Sequence, residues 1–92
     1  MATFETTTSL PPEAVIGRAQ VFFATRVPAT ACFVEKATDR HVVLRGQGGE
    51  EIVIAAFPAD GGSAVRGSSL MFGQQVNRFF TTLPVAALPG AA

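Results

Sequence analysis

Few side chains in this sequence have reactive chemistry available to them. His41 is the one group that titrates near neutrality, and it stands beside Asp39 and Arg40 at the head of an apolar run. Joined to Ser68 or Ser69 it would make a hydrolase-like set, but neither serine sits in a Gly-x-Ser-x-Gly elbow. It reads as a turn-flanking histidine. Cys32 lies beside Phe33 and Val34, with no base, cation or helix start nearby to generate a thiolate, so it reads as a small buried hydrophobe. Glu50 and Glu51 are adjacent on an expected strand, where neighbouring side chains point to opposite faces. They are badly placed to share a proton or a metal.

One Cys and one His exclude an internal disulfide framework and most zinc sites. The loops Gly46-Gln47-Gly48-Gly49 and Gly61-Gly62-Ser63 lack the Gly-Lys-Ser/Thr ending of a phosphate-binding loop and read as hairpin turns. No catalytic residue, metal site or cofactor is expected. Arg45 and Arg66 sit among apolar residues on expected strands. Either could anchor a carboxylate, or pair with Glu35 across a dimer seam. Arg66, Arg45, His41 and Glu35 are therefore the candidate ligand-binding residues.

The chain around them has 92 residues, enough for one small domain. Seven Lys plus Arg balance seven Asp plus Glu, so the formal net charge is zero. That balance argues against nucleic acid, whose binding needs surplus cations to displace phosphate counterions. Six of the seven cations are Arg, which fits the coding bias of a GC-rich bacterial genome. Hydrophobic residues at 48% exclude intrinsic disorder, while charged residues at 15% leave little to cover a small domain's surface. Part of that surface must be Thr, Ser, Gly and Ala, or apolar side chains that face a partner or a ligand. The segment Met1-Ala2-Thr3-Phe4-Glu5 carries an acid where a signal peptide needs bases. No apolar run is long enough to span a bilayer. The expected location is the cytoplasm, with no membrane partner.

Residues 2–9 predict a strand, with Phe4, Thr6 and Thr8 alternating with Thr3, Glu5 and Thr7. Leu10-Pro11-Pro12-Glu13 marks a helix start. Val15, Ile16, Ala19, Phe22 and Phe23 then follow a helical period for about four turns, ended by Pro28. Strands are expected at residues 31–38, 41–45, 50–57 and 64–72. The turns between them are Asp39-Arg40, the glycine-rich loop at 46–49, and residues 58–63. Val76, Phe79, Phe80 and Leu83 place a second helix after Gly73, stopped by Pro84. A domain over residues 1–84 would leave an apolar tail at 85–92, expected to be partly disordered.

The order β-α-β-β-β-β-α predicts an α+β fold, a single antiparallel sheet with two helices packed on one face. In the strand 50–57, Ile52, Ile54 and Ala56 would point one way and Val53, Ala55 and Phe57 the other. Both sides are apolar, yet the helices can cover only one. The leading expectation is a homodimer formed through the sheet, edge to edge or face to face; the second is a small apolar or amphiphilic ligand on the uncovered face. A strongly twisted sheet curling over its own face is the third possibility.

At Thr8-Ser9-Leu10-Pro11-Pro12-Glu13-Ala14-Val15, a strand running into a Pro-Glu-x-Val helix start resembles the opening of bacterial helix-grip proteins. These are the START/Bet v 1-like superfamily of polyketide cyclases and lipid-transport proteins. Their first strand and helix, antiparallel sheet and C-terminal helix are similar to the order found here, although this chain is shorter and has fewer strands. The resemblance implies an apolar ligand, or a reduced cyclase or hydrolase that would use His41. The order is also similar to one half of a TATA-binding-protein-like fold, for which the neutral charge is unsuited to DNA.

Overall fold

A computed structural model describes residues 2–25, 33–46, 49–70 and 72–85. Among the described residues seven elements follow one another: β1 (Ala2–Thr8), α1 (Pro12–Thr25), β2 (Phe33–Ala37), β3 (His41–Arg45), β4 (Glu51–Ala59), β5 (Gly62–Ser69) and α2 (Gly73–Thr81). The five strands form one antiparallel sheet in the order β1-β5-β4-β3-β2. The chain thus has the α+β architecture and element order that its hydrophobic periodicity predicts. Cys32, Gln47, Gly48 and residues 86–92 of the apolar tail lie outside the described residues.

Helix α1 begins at Pro12, where a missing backbone N–H is harmless. The Pro11 carbonyl accepts the Ala14 and Val15 N–H groups at 3.1 and 3.2 Å. Val15, Ile16, Ala19, Phe22 and Phe23 form its buried stripe, while Val21 faces outward. This helix lies over β3 and β4; α2 lies over β1 and β5. The sheet supplies Val42, Leu44, Ile52, Ile54, Ala56 and Val65 from one face, all buried. Phe22, Phe23 and Phe79 cluster above them with ring centroids 5.1 to 5.7 Å apart. Phe80 packs at the margin of this core and is only partly buried.

Strands β4 and β5 depart from the sequence expectation around the turn that joins them. Pro58 marks the start of a turn by composition, yet β4 continues through Ala59, and the hairpin loop is only Asp60-Gly61. The proline is tolerated because β3 pairs with β4 no further than Ala55. Beyond that point β4 is locally an edge, where a missing N–H breaks no ladder. The earlier return lets β5 start at Gly62 and end at Ser69 instead of running over 64–72. Gly67 disturbs no register; it is a close approach. A Cβ there would stand 2.6 Å from Val76 Cγ1, so α2 rests directly on the β5 backbone.

Buried hydroxyls tie the ends of these elements together. Thr8 Oγ1 donates to the Pro84 carbonyl at 2.6 Å, and Ser9 N–H donates to the same oxygen at 3.3 Å. Ser63 Oγ donates to the Leu10 carbonyl at 2.7 Å. Ser69 Oγ donates to the Glu51 carbonyl and accepts the Phe72 N–H, supporting the entry to α2. Each bond satisfies a buried polar group that would otherwise cost about 1–3 kcal/mol. Gly62 makes this corner possible. Its φ is +149°, and a Cβ would collide with the Thr8 carbonyl and the Ser9 backbone. Backbone cannot yield as a side chain can, so Gly62→Ala is expected to destabilise by about 3 kcal/mol. Urea denaturation measures this as a lower midpoint at an unchanged slope.

Candidate functional site

The alternation of each strand sends a second set of side chains to the face that carries no helix. Strand register arranges them in rows. Thr3, Ser68, Val53, Val43 and Lys36 lie side by side across the whole sheet. Glu5, Arg66, Ala55 and His41 form the next row, and Thr7, Ala64 and Phe57 the one beyond it. On the other flank, Glu51, Arg45 and Phe33 make a short row. Val43, Val53, Ala55 and Ala64 are half-buried by their neighbours on the pleat. Phe33 and Phe57 remain 55% and 49% exposed. The sheet does not curl far enough to cover its own aromatic side chains, so among the described residues the face is open.

Both arginines on this face are paired with carboxylates of the same chain. Arg45 donates through Nε to Glu35 Oε2 at 2.9 Å, through Nη2 to Glu51 Oε2 at 3.1 Å and through Nη1 to the Gly49 carbonyl at 2.9 Å. The hydrogen bond and charge of Glu35, followed by Glu51, raise the Arg45 pKa above its usual value. Glu35 reaches Arg45 from an irregularity in the β2–β3 register, between Val34 and Lys36. The sequence suggests this pair across a dimer seam; the fold places it inside one chain. An anion would have to displace two carboxylates to reach Arg45.

Arg66 is less committed. Its Nε and Nη2 both donate to Glu5 Oε1, at 3.0 and 2.8 Å, and Nη1 makes no bond among the described residues. Arg66 and Glu5 form one wall of a shallow depression of about 420 Å³ whose other walls are Thr7, Ala64 and Phe57. His41, the first residue of β3, ends the row that holds Arg66, and its Nδ1 stands 2.8 Å from Thr38 Oγ1 of the preceding turn. Ser69 is on the opposite face of the sheet, so the His41–Ser69 combination does not assemble. Of the four candidate residues, the fold joins Arg45 with Glu35 at one margin. It sets Arg66 in the depression and ties His41 to a turn.

Sequence reasoning missed the depression, because its lining comes from β1, β4 and β5 in a register only the fold defines. A second groove of about 570 Å³ runs on the helix side, lined by Leu10, Ala14, Gly17, Val21 and Phe22. No helix among the described residues is long and apolar enough to cross a membrane. No protein-family model, no curated protein and no solved structure matches this chain. What the described residues define is a small α+β fold with one sheet, two helices on one face and no described element on the other.

Proposed function

We propose that this chain is a non-catalytic interaction module whose open sheet face docks against the same face of a second copy. The observation that carries this reading is the apolar centre of that face, Val43, Val53, Ala55, Ala64 and Phe57, with both helices on the opposite side. Glu5, Glu35 and Glu51 balance Lys36, Arg45 and Arg66 around it. A neutral face meets its own copy without net repulsion, and its ion pairs remain at the wetter rim.

Size sets the strength of such a contact. Five strands at about 4.8 Å spacing, each about 20 Å long, present roughly 480 Å² of projected area. Two copies would bury about 1,000 Å², at the low end for a specific complex, so micromolar affinity is expected. Sedimentation velocity from about 1 to 100 μM brackets that range. The mass should climb from the 9.6 kDa of one chain to twice that value or beyond. A sample that stays at one chain throughout contradicts the proposal.

The depression beside Phe57 favours a second reading, a small amphiphilic ligand with its apolar part on Phe57 and Ala64 and its polar end on Arg66 Nη1. Native mass spectrometry of freshly purified protein should then show a retained molecule that Arg66→Ala releases. Bare multiples of the chain mass count against it.

A further inference from the structure

The two edges of the sheet are built differently. Strand β2 has an irregular register around Glu35, and it carries Lys36 next to its last residue. Bulges and lysines are the devices that keep an exposed edge from pairing with another chain. Strand β1 has neither. Its seven residues pair with β5 in unbroken register, from Ala2 opposite Ser69 to Thr8 opposite Ser63. It contains no Pro, Lys or Arg, and four of its residues are β-branched Thr, well suited to a strand. Among the described residues, the backbone groups of Thr3–Thr7 bond only to β5. Among the described residues, a regular row of donors and acceptors without partners therefore lies along its outer side.

We infer that β1 is a docking edge whose partner is the β1 strand of a second copy, paired antiparallel so that two sheets join into one. The two-fold axis of such a contact stands perpendicular to the sheet. It keeps each face on its own side, so residues opposite one another must share a face, and one residue lies opposite its own copy. Centring on Glu5 would set two carboxylates against each other. The favoured registers centre instead on Phe4 or Thr6, where Glu5 meets Thr3 or Thr7 of the second copy.

This inference adds an interface to the face-to-face contact proposed above, and the two are compatible. The edge axis is normal to the sheet and the face axis lies within it. Where these perpendicular two-folds intersect, they close as a dihedral tetramer of two joined sheets stacked face to face.

The test uses the intact chain and two variants. Thr3→Glu with Thr7→Glu changes exposed positions of β1 and opposes like charges to Glu or to each other in all three registers. It should lower the assembly by one factor of two in mass, with an unchanged circular dichroism spectrum. Val53→Lys should do the same through the face, and the combined variant should be a single chain. In the wild type, alternate β1 amides should become protected from hydrogen exchange as concentration rises, a readout that needs no variant.

If β1 amides exchange equally fast at every concentration and the Thr3/Thr7 variant keeps the wild-type mass, the edge inference is overturned and the face contact stands. If that variant dissociates the protein while Val53→Lys does not, the edge stands and the face contact falls. A wild type that remains a single chain overturns both.

Discussion

Val53→Lys should abolish self-association through the open face while leaving the monomer folded. Val53 sits in the middle row, flanked by Val43 on β3 and Ser68 on β5, with no helix above it. A lysine there replaces an apolar contact by a charge. In an isologous interface every substitution acts twice, so two ammonium groups face each other near the axis. Taking about 2 kcal/mol for each copy, the dissociation constant should rise roughly a thousand-fold. The monomer should lose less than about 1 kcal/mol, because the side chain points away from the core. Ile52 and Ile54 make the contrast plain. They are the chain neighbours of Val53, but both are wholly buried under the helices. Ile54→Lys should leave no folded protein. Light scattering for mass and circular dichroism for fold separate the two cases. A Val53→Lys protein that self-associates like the wild type contradicts the face contact.

Phe79→Ala should cause the largest loss of stability among core truncations in α2. The Phe79 ring is fully buried and lies 5.5 Å from Phe22 and 5.7 Å from Phe23, centroid to centroid. It is the point where α2 meets α1, so its removal opens a cavity that neither helix can fill alone. Truncating a buried Phe costs about 3–5 kcal/mol, out of a total stability of about 5–15 kcal/mol for a domain. At about 4–8 °C per kcal/mol, the melting temperature should fall by at least about 12 °C. Phe80→Ala serves as the comparison, since Phe80 is only partly buried at the margin of the same core. It should cost about half as much. Equal effects at the two positions would mean that the inter-helix aromatic cluster does not organise the core.

The parts of this molecule legible in the sequence are those fixed by local periodicity. Alternation assigned Ile52, Ile54 and Ala56 to one face of β4 and Val53, Ala55 and Phe57 to the other, and the register confirms that division. The helical spacing of Val15, Ile16, Ala19, Phe22 and Phe23 marked the buried side of α1. Features that depend on where a neighbour ends were hidden. Pro58 reads as a turn until β3 is seen to stop opposite Ala55. Glu35 reaches Arg45 because the β2–β3 register shifts beside it, and composition does not signal such a shift. The buried hydroxyls of Thr8, Ser63 and Ser69 likewise look like surface residues until their carbonyl partners are in place. Neutral charge gave the first indication of a face lacking charged cover. Only the assembled sheet showed that Arg45 and Arg66 on that face are already paired with Glu35, Glu51 and Glu5.

The claim that matters most is that two copies meet through their open faces. It is tested most directly by mixing chains labelled on different methyl groups and recording intermolecular contacts by nuclear magnetic resonance. The account predicts cross-peaks linking the methyls of Val43, Val53 and Ala55 in one copy to those in another, growing with concentration. If those methyls show no intermolecular contact and stay open to a soluble relaxation agent at the highest concentration, the open face is not the interface.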